Sequence, residues 1–242
     1  MDMGKEFIEK IESLTDAART VMVGDETYST KMLVPVMYEP EASTLKVNTL
    51  SALCAFYNAG MADEPQEELF VNIVSPTEVV LFGGLRGRAR KRSVFVVAET
   101  SIREFSFGQF MPQEQFAISF RSLVSPKKGD DSDYVLSYIG RLRGGTTVEV
   151  ADDGITQTGT VSRGVSGKLM DKEVAKPIVR LSPYRTFREV EQPEGEYLLR
   201  IRLDGDEPKA ALVEADGGMW KLRAMESIKA FIAKECPGLT VL

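Results

Sequence analysis

The sequence predicts an α+β fold: mixed, mainly antiparallel sheets with about five helices, including an amphipathic N-terminal helix and a C-terminal one. Three observations carry this. Strand-like runs crowd the middle and the second half of the chain. Apolar residues recur at helical spacing in other segments, and the two kinds of segment do not alternate as regular βαβ units. The 242 residues suit a single large domain, 1–242. A subdivision is expected near 143–146, between a mixed part with a basic hairpin (21–143) and a β-rich part with the C-terminal helix (146–242).

Each element has its local reason. Residues 2–20 read as a helix, because Phe7, Ile11, Leu14 and Ala18 share one face while Lys5, Glu9, Glu12 and Asp16 cover the others. The stretch from Tyr28 to Tyr38 is β-like, with Pro35 and Pro40 marking an edge or an irregular end. Asn48 is expected to cap a helix that buries Leu50, Leu53, Cys54 and Tyr57 and stops at Gly60. Strands follow over 69–75 and 77–82, broken at Ser75 and Pro76, and a third over 93–100. Pro112 opens a helix carrying Phe116, Phe120 and Leu123, and Asp131 or Ser132 caps a short helix that ends at Gly144. Residues 146–161 read as a hairpin turned at Asp153 and Gly154, and 162–177 as a long polar loop. Strands over 177–181, 196–203 and 209–216 come next. A helix from Trp220 to Lys234 is expected to cover the apolar face of Tyr197, Leu199 and Ile201, with Leu222, Met225, Ile228 and Ile232 facing inward.

Composition excludes more than it identifies. No apolar run of about 18 residues occurs, so no membrane partner is expected, and MDMGKEFIEK lacks the pattern of a secretory leader. Two distant cysteines give neither a disulfide framework nor a cysteine zinc site, and fit a reducing cytoplasm. Histidine is absent, which removes Ser-His-Asp and Cys-His catalysis and every His-ligated metal. The Asp and Gly clusters at 152–154 and 204–207 read as turns, and no phosphate-binding glycine loop occurs. No cofactor, metal or catalytic residue is expected.

Charge is unevenly spread. Residues 1–84 hold 5 basic and 14 acidic side chains, and residues 85–143 hold 11 and 6. The densest feature is the basic run of Arg86, Arg88, Arg90, Lys91 and Arg92 between two strands, with Gly83 and Gly84 at its base. It is expected to form a finger that docks on an acidic patch of another subunit or neutralises phosphates of a nucleic acid. A weaker candidate anion site gathers Tyr184, Arg185, Arg188, Arg200 and Arg202, with Phe187 as a second stacking ring. Local ion pairs with Glu189, Glu191, Glu194 and Glu196 are the competing account of those arginines.

At YRTFREVEQPEGEYLLRIR, which extends SPYRTFREVEQP (182–193), and at ALVEADGGMWKLRAMESIKAFI the chain resembles the YfdQ-like family of prophage and tailed-phage proteins. VNIVSPTEVVL (71–81), FSFGQFMPQEQF (105–116) and ADDGITQ (151–157) extend the resemblance from residue 71 to about 232. It implies a phage-encoded protein in the cytoplasm of an infected or lysogenic bacterium, and it transfers no catalytic residue. The expected function is a non-enzymatic accessory protein acting as a self-assembling homo-oligomer, small or large. The alternative is a nucleic-acid-binding protein serving phage recombination or DNA protection.

Overall fold

The computed structural model describes residues 4–17, 20–24, 26–29, 43–62, 64–87, 90–142, 147–150, 157–160, 172–174, 176–205 and 207–242. The chain divides into a unit of Met1–Glu41 and a unit of Ala42–Leu242. The expected subdivision at 143–146 lies outside the described residues, as do the turn at Asp153 and Gly154 and the residues of the 28–38 stretch beyond Ser29.

The first unit holds α1 (Lys5–Ala17), β1 (Thr20–Val23) and β2 (Glu26–Ser29). The strands form an antiparallel hairpin in which Val23 pairs with Glu26, and Gly24 takes the left-handed backbone of its turn (φ 65°). The apolar stripe of α1 lies as expected on one face, and Phe7, Ile8, Ile11 and Leu14 are all exposed.

The second unit opens with β3 (Leu45–Val47), α2 (Leu50–Asn58), β4 (Phe70–Ser75), β5 (Glu78–Arg86) and β6 (Lys91–Glu99). It continues with β7 (Met111–Pro112), α3 (Gln113–Leu123), β8 (Val124–Ser125), α4 (Ser132–Arg141), β9 (Thr147–Val150), β10 (Gln157–Thr160) and β11 (Lys172–Val174). β12 (Ile178–Pro183), β13 (Gly195–Asp204), β14 (Glu207–Glu214), α5 (Met219–Glu235) and β15 (Thr240–Val241) close it. The α+β class is as the sequence predicts. The first sheet has the order β15-β4-β5-β6-β3, with both outer strands parallel to their neighbours and the inner pairs antiparallel. The second has the antiparallel order β7-β14-β13-β12-β8, and β9, β10 and β11 form a third.

Two cores follow. α2 and α5 lay Leu50, Leu53, Ile228 and Ile232 on the inner face of the first sheet, against Val71, Leu81, Val96 and Ala98. α3 and α4 lay Phe116, Phe120, Val135 and Ile139 on the second, against Val179, Leu199, Ile201 and Leu212.

Several expectations are corrected. Thr49, one residue after Asn48, caps α2, its hydroxyl accepting the Ala52 N–H at 3.2 Å. The loop 162–177 contains strand β11, paired with β10. α5 covers the first sheet, not the apolar face of β13, which α3 and α4 cover instead. The reason is the turn after β14: Gly217 and Gly218 are both left-handed (φ 63° and 82°), and Asp216 accepts the N–H groups of Gly218 and Trp220, which sends the helix away from β14. Its buried stripe is Ala224, Ile228 and Ile232, spaced by four, so Leu222 falls off the stripe and is 56% exposed.

Residues 184–194, the most distinctive run of the sequence, form a latch between the two cores. Phe187 and Val190 enter the first core. Buried Gln192 holds the loop closed: its oxygen accepts the N–H groups of Arg185 and Thr186, and its amide donates to the carbonyls of Phe187 and Val190. Thr186 donates to Pro76 O at 2.6 Å, and Lys127 donates to Gln192 O at 2.7 Å. A buried polar network satisfied in this way rigidifies a loop.

Candidate functional site

The basic run does not form a long finger. β5 continues to Arg86 and β6 begins at Lys91, with Arg86 opposite Lys91 and Leu85 opposite Arg92. Between them, Gly87 and Arg90 have positive φ (64° and 48°), and residues 88–89 lie outside the described ones. Gly83 and Gly84 lie inside β5, where the register shifts between Phe82 and Leu85. The close approach of Glu64 explains them. A side chain at Gly83 would collide with the Glu64 carboxylate, and Gly84 N–H donates to Glu64 Oε2 at 3.0 Å. The other Glu64 oxygen meets Arg86 Nε at 3.0 Å, in a pair whose carboxylate has no exposed surface.

The five basic residues therefore divide. Arg86 is committed to Glu64. Arg92 lies over the Phe82 ring, 5.5 Å from its centre, with Nη1 at 3.5 Å from Gly83 O. Arg90 and Lys91 are exposed, and Arg88 lies outside the described residues.

The second candidate does not converge. Arg185 is 3% exposed, with its guanidinium 4.0 Å from the centre of Phe107 and 4.5 Å from that of Trp220. Its Nη1 pairs with Glu214, so the cation is engaged by aromatic rings and a carboxylate within the chain. Phe187 is fully buried, not a free stacking ring. Arg188 stacks over Tyr184 at 5.1 Å, and Arg202 over Phe110 at 4.3 Å. Arg200 and Arg202 share the outer face of β13, opposite to the buried face of Tyr197, Leu199 and Ile201. The expected glutamate partners act across elements: Glu191 pairs with Lys127 at 2.7 Å, Glu196 with Arg180 at 3.5 Å, and Glu189 accepts the Ser51 N–H.

Titratable groups are held by their surroundings. Burial pushes the Tyr197 hydroxyl well above the ordinary tyrosine range, against the opposing pull of Arg185. Cys54 and Cys236, remote in sequence, meet in the first core as free thiols. Burial and then the neighbouring Cys236 raise the Cys54 thiol, and burial raises Cys236. Such thiols pack as small apolar side chains rather than react.

What remains open is the outer face of the first sheet. Phe70, Val80, Phe82, Arg92, Val94 and Leu242 line a groove of about 510 Å³ there. Phe70 and Phe82 stack across β4 and β5, their centres 5.9 Å apart. Leu85, Val74 and Leu242 are about half exposed or more. The sequence signal for this face is the unbroken run from Val79 to Phe82, which lacks the apolar–polar alternation of a strand solvated on one side.

Compared with known proteins, the chain matches no family model, no curated protein and no solved structure.

Proposed function

We propose that the protein is a non-enzymatic, phage-encoded accessory protein that acts as a homo-oligomer, with the outer face of the first sheet as its assembly surface. The observation that carries this reading is that face: a sheet already packed on one side by α2 and α5 presents Phe70, Val80, Phe82 and Val94 on the other. Sheets apolar on both faces are normally covered on both. The phage assignment, and with it the cytoplasm of an infected or lysogenic bacterium, rests on the resemblance of residues 71–232 to the YfdQ-like family.

The nucleic-acid reading is disfavoured by the hairpin. Of its described basic residues, Arg86 is spent on Glu64, which leaves the exposed Arg90, Lys91 and Arg92, the last of them lying against Phe82 on the apolar face. So few phosphate contacts give weak, salt-sensitive affinity. The test is light scattering across a concentration series. A mass above the 26.8 kDa of one chain is expected, and a monomer at every concentration overturns the reading.

A further inference from the structure

On the open face of the first sheet, charge is sorted by position along the strands. The cross-strand pairs alternate between the two faces, so the outer face carries, in order, Glu78 with Glu99, Val80 with Val97, Phe82 with Val94, and Leu85 with Arg92. One end is thus doubly acidic, the centre is apolar and the other end is basic. Lys46, on the edge strand β3, stands beside Val97 between the two ends. Glu78 and Glu99 sit directly opposite each other, which is unfavourable for like charges, and neither has an ion-pair partner among the described residues. Seven residues of strand separate the acidic level from that of Leu85 and Arg92, about 23 Å, which is more than twice the screening length of about 10 Å at 0.1 M salt. The two ends of one sheet therefore do not neutralise each other.

We propose that the occupant of this face is the same face of a second copy, packed about a two-fold axis through its centre with the strands antiparallel. The proposal rests on the assembly reading above and adds its geometry. A two-fold interface is self-complementary, so any residue pair across it occurs twice. An axis between the Val80 and Phe82 levels places the apolar centres on each other, at the usual sheet-to-sheet spacing of about 10 Å. It also sets Arg92 of each copy over Glu78 and Glu99 of the other. Parallel stacking does the opposite, bringing acidic end onto acidic end. Only the antiparallel arrangement relieves the repulsion between Glu78 and Glu99, and it relieves it in both copies. Arg86 and Lys91, one step along the hairpin from Leu85 and Arg92, alternate to the other side, where Arg86 is already held by Glu64. Arg92 is thus the basic residue of β6 that points at the partner.

The test is a charge exchange followed by sedimentation velocity, with circular dichroism and melting temperature as controls for folding. Arg92→Glu alone sets acid against acid at both ends, and Glu78→Arg with Glu99→Arg sets base against base. Each of these variants is expected to self-associate at least roughly tenfold more weakly than the wild type. An equimolar mixture of the two recovers opposite charges at both ends and is expected to associate as the wild type does. The triple variant carrying all three changes is expected to do so alone. Variants that associate like the wild type would overturn the two-fold geometry while leaving self-assembly standing. So would variants that dissociate without recovery in the mixture. A wild-type protein that is monomeric throughout would overturn both.

Discussion

The two five-stranded sheets are built alike on their inner faces and differently on their outer ones. Each inner face is sealed by two helices, α2 and α5 on the first sheet, α3 and α4 on the second. The outer face of the second sheet is largely polar: Arg180, Glu196, Arg200, Arg202 and Lys209 lie there, with Ile178, Leu198, Ala211 and Val213 between them, and β9 and β10 approach β13. The first presents Phe70, Val80, Phe82 and Val94 at its centre instead. A difference confined to one face of one sheet says that the four covering helices hold the fold, whereas the uncovered apolar face is available for association. Stability and the proposed assembly are therefore expected to separate under mutation.

The largest effects belong to covered faces. Phe187→Ala removes a fully buried ring from the first core and loosens the latch, and is expected to cost about 3–5 kcal/mol in chemical denaturation. Leu199→Ala, its counterpart in the second core, is expected to cost about 2–5 kcal/mol. Either variant melting like the wild type would break the assignment of these faces as sealed. Gly83→Val is next. The added side chain displaces the buried Glu64 carboxylate from Gly84 and Arg86, for a loss of about 1–3 kcal/mol. If it were neutral, the turn after β5 would not depend on Glu64.

The thiols sharpen the same contrast without changing stability. Cys54 sits on the buried face of α2 and Cys236 caps α5, and burial keeps both protonated. They are expected to resist a thiol reagent in the folded protein and to react fully in denaturant. Rapid labelling of the native chain would mean that the first core opens readily.

The smallest effect is at the rim of the latch. Lys127, hydrogen-bonded to Glu191, holds that carboxyl below its ordinary range. The depressed pKa means that the pair adds stability above the unfolded value and loses it as the pH falls through the folded one. Because Glu191 is largely exposed, the contribution is at most a few tenths of a kcal/mol. Lys127→Met is expected to return the Glu191 midpoint to the usual carboxylate range in a carbon NMR titration. An unmoved midpoint would remove Lys127 from the latch.

Local pattern made most helices and central strands legible, because Leu50, Leu53 and Tyr57, or Phe116 and Phe120, repeat at the period of the surface they bury. Pattern failed where partners are remote. β3 and β15 are three and two residues long and pair in parallel with β6 and β4, so nothing in their own sequence announces a strand. Arg185 and Phe187 look like surface recognition residues because their composition is that of an anion site. Their burial depends on Glu214, Trp220 and Gln192, which arrive from other elements or from the far side of the loop. The basic run looked like a loop because charge obscures strand propensity, and only Glu64 reveals why β5 passes through two glycines.

The separation of stability from assembly is tested most directly by a double variant, Val80→Ser with Val94→Ser, examined by sedimentation velocity and thermal melting side by side with the wild type. Both residues line the open groove and neither belongs to the first core. The expected result is a folded protein melting within a few degrees of the wild type but sedimenting as a 26.8 kDa monomer. A variant that keeps the wild-type assembly would contradict the account, because the exposed apolar face would then hold nothing together.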